Sequence, residues 1–186
     1  MLRAFPSDST LAFGGLRRVY KLEEESEADW WEVEALYDLC FSPARVALSS
    51  YRLRDGVPTV AALCLTLRDD DGTVAAAIRY WPAEVGGEAV LLLGPVAVHP
   101  TRQGEGLGGL LINESLAEAR RLGWERVMLV GDAPYYGRFG FKKLGGVEMP
   151  PPTNPGRVLG LALKVGAWDG VRGPVTKAGA ASLPTR

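Results

Sequence analysis

The chain has 186 residues, 47% of them apolar, with 21 Lys and Arg against 22 Asp and Glu and a net charge of −1. That is enough chain to bury one sizeable core, and a near-balanced charge with no basic cluster argues against a nucleic-acid or anionic-membrane surface. Met1 to Phe13 holds no apolar core of signal-peptide length, no segment is long enough to span a bilayer, and Cys40 and Cys64 have neither metal nor redox spacing; a reduced, cytoplasmic protein without a metal is the expectation.

Residues 1–15 mix Pro, Ser, Asp, Thr and Gly and read as a poorly ordered arm. Leu16 to Leu22 alternates enough to form a first strand. Asp29, with Glu32 three positions on, caps a helix over Trp30 to Cys40, and Phe41 to Ser50 reads as a second, shorter helix after Pro43. Val60 to Leu67 and Thr73 to Trp81 make a hairpin across Asp69-Asp70-Asp71-Gly72. Ala89 to Val98 is a fourth, buried strand. From Leu107 to Leu122 the apolar spacing is helical, with Gly108, Leu111, Ile112, Ser115, Ala119 and Leu122 on one face and Gly123 as the stop. A strand over Arg126 to Val130, a short tyrosine-bearing helix, and strands over Lys142 to Val147 and Arg157 to Val165 complete a domain over residues 16–166. Residues 167–186 form a Gly-, Ala- and Pro-rich tail, and no internal repeat is present.

The stretch that carries chemistry lies between the fourth strand and the long helix: Gln103-Gly104-Glu105-Gly106-Leu107-Gly108. Glycines there let backbone N–H groups converge at a helix N-terminus, where unpaired donors and the positive end of the helix dipole suit a phosphate. A plain tight turn needs the same glycines. Gly104 to Gly109 also fits G-x-G-x-x-G, the dinucleotide fingerprint, but Gly104 follows the strand late, no acidic residue stands at a strand end about 20 positions on, and too little chain follows for two mononucleotide halves. A Walker loop is excluded because no Lys-Ser/Thr follows the glycines.

Gln103-x-x-Gly106-x-Gly108 after an apolar strand resembles the acyl-CoA pyrophosphate loop of the GNAT N-acetyltransferase superfamily, Q/R-x-x-G-x-G/A. Downstream, Ala133-Pro134-Tyr135-Tyr136-Gly137-Arg138-Phe139-Gly140-Phe141 resembles that family's F-Y-x-K-x-G-F helix, and Gly131-Asp132-Ala133-Pro134-Tyr135-Tyr136 is similar to its YhbS-like branch. The resemblance covers about residues 17 to 165. It implies a single α/β domain whose mixed, mostly antiparallel sheet is flanked by helices and splays between its fourth and fifth strands.

Pro95 inside the fourth strand removes a ladder donor, which suits a bulge or a place where strands part. The resemblance assigns the gap-side backbone groups of Val96 and Val98 to pantetheine, an N–H at Val96 or Ala97 to the thioester carbonyl, and the amides of Gly104, Glu105, Gly106, Leu107, Gly108 and Gly109, with Gln103, to the pyrophosphate. Asp132 and Tyr135 border the same cofactor, and Tyr136 falls on the tyrosine that reaches the CoA sulfur. A phenol near ~10 stays protonated where a thiol titrates near ~8.5, so Tyr136 is the expected general acid.

No general base follows. Leu91-Leu92-Leu93 stands where some relatives carry a Glu, His99 reads as a loop residue, and Glu84 and Glu88 read as solvated charges. Trp30, Trp31 and Tyr37 with the acidic run Glu23-Glu24-Glu25-Ser26-Glu27 form a tempting cationic-amine rim, although an apolar helix face packed in the core and an acidic N-terminus that suits the dipole are the preferred reading. The expected activity is acetyl transfer from acetyl-CoA to a primary amine by direct attack, with a small-molecule or peptide acceptor and room for a homodimer. The other readings are a non-catalytic acyl-CoA-binding or sensing domain and, behind it, a dinucleotide-binding domain.

Overall fold

The computed structural model describes residues 9–11 and 18–179. The N-terminal arm lies outside them apart from β1 (Ser9–Leu11), which pairs antiparallel with β2 (Arg18–Glu24). After α1 (Trp30–Phe41) come a 3-10 turn (Pro43–Ala47) and the one-turn α2 (Ser49–Arg52), in place of the single second helix expected over this stretch. Ser42, at a positive φ, stops α1, and the extended Leu48 separates the two turns. A further 3-10 turn (Ala61–Leu63) occupies the start of the expected second strand, Val60 to Leu67, so β3 is only Leu65–Arg68.

β4 (Val74–Val85) and β5 (Glu88–Val98) form a long hairpin, followed by α3 (Leu107–Arg121), β6 (Arg126–Val130) and α4 (Ala133–Gly137). The strand expected over Lys142 to Val147 is two short ones, β7 (Lys142–Lys143) and β8 (Val147–Glu148). Between them lie Gly145 and Gly146, the latter at φ +75°. β9 (Val158–Ala162) and β10 (Gly173–Lys177) follow.

The sheet runs β1-β2-β3-β4-β5-β6-β9-β7, with β10 on the free end of β4 and beside β8. Among the main-path pairs, β5–β6 is parallel and the others antiparallel. Two helices cover the two faces. Leu107, Leu111, Ile112, Leu116 and Ala119 of α3 pack on Leu65, Leu67, Ile78, Tyr80, Leu91 and Leu93, while Val33, Leu36 and Tyr37 of α1 pack on Val74, Ala77 and Ala97. Each fully buried Leu or Ile contributes roughly 1.5–3 kcal/mol, so α3 is held firmly. Ser115, the one polar residue of its buried face, is satisfied by Tyr80 Oη at 2.9 Å and the Leu111 carbonyl at 2.7 Å.

Candidate active site

The site begins with a defect in β5. Tyr80 pairs with Leu93 but Ile78 with Val96, so Gly94 and Pro95 together stand opposite Arg79 alone. This is a bulge, and the donor that proline lacks is the one the ladder does without. On its other edge β5 meets β6 only at Leu91↔Val127 and Leu92↔Met128. β6 continues to Val130 along β9, and β5 continues to Val98 along β4, so the two strands part beyond Leu92.

Alternation fixes which β5 groups face that gap. The His99 N–H donates to the Ala75 carbonyl at 2.8 Å, toward β4. By the two-residue period of a strand, Ala97 also points its N–H at β4, while Val96 and Val98 point theirs into the gap. Ala97 is therefore turned away, with its side chain packed on α1; of the two expected donors to a carbonyl, only Val96 faces the opening. The Val98 carbonyl is taken in this structure by Gln103 Nε2 at 3.3 Å and Cys40 Sγ at 3.4 Å.

The glycine loop opens one side of the gap. Gly106 caps α3 in the left-handed region, at φ +78°, which glycine reaches without the penalty other residues meet. No side chain caps α3 and no acidic residue lies in its first turn, so its leading N–H groups and dipole are left for an anion. A cleft of about 630 Å³ runs along Val96, Val98, Gln103, Gly104 and the Gly106 to Gly109 turn, and is closed by Tyr135, Arg138 and Phe139 of the facing segment. Glu105 is not on its wall; its carboxylate accepts the Tyr20 hydroxyl and ties the loop to β2.

Across the gap, Asp132 caps α4 by accepting the Tyr135 N–H at 3.0 Å, and it too lines neither this cleft nor its neighbour. Tyr135 and Tyr136 meet edge to face at 5.0 Å but serve different spaces: Tyr135 borders the glycine-loop cleft, Tyr136 a second cleft of about 350 Å³ on the far side of the splay. Val96 lines both. Gly131 makes the Tyr136 position available, since a Cβ there would stand 2.5 Å from the Tyr136 ring. Burial pushes the Tyr136 hydroxyl up to about 12, the nearby Tyr135 adds to the rise, and the Arg157 charge opposes it.

The profile of the Acetyltransferase (GNAT) family matches residues 16–141. The chain belongs to the GNAT acetyltransferase family. Within it the chain is YhbS-like: over 113 residues it is 33% identical to the uncharacterized N-acetyltransferase YhbS of Escherichia coli strain K12, a match spanning 59% of this chain and 66% of that protein, just under two thirds. The crystal structure of E. coli YhbS in complex with CoA matches with a TM-score of 0.73 at 27% identity, covering 90% of this chain and 93% of that one. A GNAT family acetyltransferase from Brucella melitensis, solved in complex with acetyl-CoA, matches with a TM-score of 0.64 at 30% identity, covering 86% and 96%.

In this GNAT chain the residues considered as bases lie away from Tyr136. His99 caps a 3-10 turn and holds the Thr101 hydroxyl at 2.8 Å, Glu88 pairs with Arg126 at 3.1 Å at the far end of β5, and Glu84 accepts the Gly179 N–H at 2.8 Å. The acidic run does not form an open rim either. Glu25 is nearly buried against Arg79, Glu23 pairs with Lys21 and Arg68, and Glu34 sits between Arg45 and Arg79. Arg79, 6% exposed, is thereby held under the Tyr37 ring. Trp31 is 78% exposed and lines none of the three clefts, whereas Trp30 and Tyr37 border a third cleft behind Arg45 and Arg79.

The residues missed from sequence are arginines. Arg138 stacks over Tyr135 at 4.5 Å and borders the glycine-loop cleft; it occupies the lysine position of the F-Y-x-K-x-G-F motif, which was the available signal. Arg54 and Arg157 line the Tyr136 cleft, and neither stands in a motif. Among the described residues no helix is long and apolar enough to cross a membrane, and no cluster of three metal-ligating side chains occurs.

Proposed function

We propose that the chain transfers an acetyl group from acetyl-CoA to a primary amine by direct attack in a ternary complex. The observation that carries this reading is the meeting of two clefts at Val96, where β5 and β6 part, with anion-binding backbone on one side and Tyr136 on the other. CoA and acetyl-CoA in the two solved relatives support the assignment of the glycine-loop cleft to the donor. There the amides at the N-terminus of α3 hold the pyrophosphate, Arg138 adds charge, and the Val98 N–H and the Val96 carbonyl receive the pantetheine arm as an added strand would.

The Val96 N–H polarises the thioester carbonyl as the amine nitrogen attacks its carbon. The C–S bond breaks, the sulfur leaves as thiolate, and the nitrogen gives its proton to water in the cleft. Tyr136 donates a hydrogen bond to the departing sulfur. Its raised pKa keeps the hydroxyl protonated through the working range. Against a thiol near ~8.5 that value makes outright transfer uphill by roughly 5 kcal/mol, so its help is a hydrogen bond that strengthens as charge develops, and the thiolate is protonated by solvent.

A second reading, a non-catalytic acyl-CoA-binding or sensing domain, is favoured by one observation: among the described residues, no carboxylate or imidazole lines the Tyr136 cleft. A panel of amines assayed for CoA thiol release, with thermal-shift titration by CoA and NAD, separates the two. Transfer to at least one amine with stabilisation by CoA alone is the expected result; CoA binding without transfer to any amine leaves the binder, and stabilisation by NAD instead removes both.

A further inference from the structure

The arginines on the acceptor side are not alike. Arg45 is paired with Glu34 at 2.5 Å and Asp38 at 2.9 Å, Arg79 with Glu25 and Glu34, and Arg68 with Asp29 and Glu32. Arg54 has no carboxylate partner among the described residues. Its guanidinium lies between the rings of Tyr51, at 4.3 Å, and Trp81, at 4.7 Å, and its Nε and Nη1 are buried with nothing to donate to. The side chain borders both the Tyr136 cleft and the third cleft behind it.

A guanidinium keeps its proton, and a buried one left without an acceptor is costly. Here the two aromatic rings serve its faces, which leaves its in-plane donors as the unmet demand. The surrounding cleft has the same bias. Arg45, Arg54 and Arg157 stand on its wall and no Asp or Glu does; Arg45 is neutralised from behind by Glu34 and Asp38, and the rest mixes apolar residues such as Phe41, Leu92, Pro95 and Val130 with neutral polar ones such as Ser49 and Asn154. Arg157 spends its Nε on the Gly131 carbonyl at 3.3 Å, and no described carboxylate pairs with it. At about 350 Å³ the cleft is at the small end of ligand pockets.

We propose that the acceptor is a small amine bearing a carboxylate, which Arg54 receives on the apolar wall opposite Tyr136 while the amine faces Val96. This rests on the acetyl-transfer reading above and narrows it. The in-plane donors of a guanidinium match a planar carboxylate in geometry and charge, and an amine without an acceptor oxygen would leave Arg54 as unsatisfied as it is without substrate. An amino acid or similar zwitterion fits that chemistry.

Two measurements test this, one independent of turnover. The first compares matched pairs of amines, each amino acid against the amine lacking its carboxylate, in wild type, Arg54→Gln and Arg54→Lys. Wild type should favour the acid by at least tenfold in kcat/KM. Arg54→Gln should abolish that preference by raising KM for the acid alone, and Arg54→Lys should recover part of it. A wild-type preference for the carboxylate-free amine, or for a matched phosphomonoester, overturns the proposal. So does an Arg54→Gln variant that treats both members of a pair as wild type does, or slows both equally while its melting curve is unchanged. Should Arg54→Gln fail to fold, Arg54→Met, which keeps an apolar stem packed between the two rings, replaces it with the same expected loss of preference.

The second measurement is thermal shift in the presence of CoA with N-acetylglycine, which carries no transferable amine, against N-methylacetamide. Stabilisation of wild type by N-acetylglycine alone, lost in Arg54→Gln, supports the carboxylate contact of Arg54; if no amine is ever acetylated, that combination sinks the acetyl-transfer reading, and the acceptor proposal with it, and keeps only a carboxylate-binding role for Arg54. No stabilisation by either compound, or equal stabilisation by both, overturns it.

Discussion

The two clefts that meet at Val96 are built by different means. The glycine-loop cleft is made largely of backbone: a left-handed Gly106, an uncapped α3 N-terminus and the gap-facing edge of β5 at Val96 and Val98, all within the Val96 to Gly109 stretch. The Tyr136 cleft is made of side chains from separate segments: Phe41 to Arg54, the β5 bulge, Val130 to Tyr136, and Pro152 to Arg157. A site of backbone donors presents the same groups whatever the side chains around it, so it suits a constant ligand. A wall of gathered side chains changes with each substitution, and specificity for the varying partner belongs there.

The largest effect should come from the ion-pair lattice behind the acceptor wall. Arg79, Glu25, Glu34, Arg45 and Asp38 tie β4, α1 and the 3-10 turn together. Arg79→Met leaves Glu25 and Glu34 without their shared guanidinium, and Glu25 is nearly buried. Stripping one member of a buried pair costs on the order of 3 kcal/mol, or roughly 6–12 °C in a domain of this size. Calorimetry should show that loss, and the acceptor KM should rise while CoA affinity holds. An equal fall in CoA affinity would mean that the two clefts are one mechanical unit.

At the seam, Tyr136→Phe keeps the ring against Gly131 and Phe141 and removes the hydroxyl. Losing a hydrogen bond that strengthens on the developing thiolate should cost about 10²-fold in kcat, with KM for acetyl-CoA little changed. A phenol held near 12 also sets a pH signature. The active form is the protonated one, present below that pKa and lost as pH rises through it, so the rate should not fall near pH ~10, where an ordinary tyrosine titrates. A descending limb centred there in wild type, absent in the Phe variant, would show that burial does not hold the hydroxyl as the structure implies. Full kcat in Tyr136→Phe with chemistry rate-limiting removes the residue from the reaction.

The same division explains what could be read from sequence. Gln103, Gly106, Gly108 and Tyr136 sit in contiguous motifs, and Pro95 marks the bulge by its missing donor, so the donor cleft and the splay were legible. Ala97 was misjudged because a bulge resets the phase of a strand; only the His99 to Ala75 hydrogen bond reveals which residues face the gap. Glu105 and Asp132 lie in the right motifs but spend their carboxylates on Tyr20 and on the α4 N-terminus. Arg54 and Arg157 carry no local signal, since their meaning is the absence of a carboxylate that only packing can establish. The acidic run offers a rim as an alternative in sequence because Arg79 and Arg68, which neutralise much of it, lie dozens of residues away.

The smallest effect asked of the donor cleft is also the most selective. Gly106 holds φ +78° and ψ 3° at the start of α3, a conformation that costs other L-residues about 1–2 kcal/mol and a β-branched one more. Gly106→Val either strains the loop or moves the first-turn amides off their common point, so CoA affinity should fall about tenfold while the domain stays folded. Calorimetric titration with CoA reads the loss. Gly106→Asn separates the two causes, since asparagine enters the left-handed region with less strain than other residues but still adds a side chain. Recovery in the Asn variant means the backbone conformation is what the cradle requires; continued weakness means that a side chain there crowds the phosphate. Normal CoA binding by Gly106→Val would reduce the loop to an ordinary turn and remove the backbone half of the comparison.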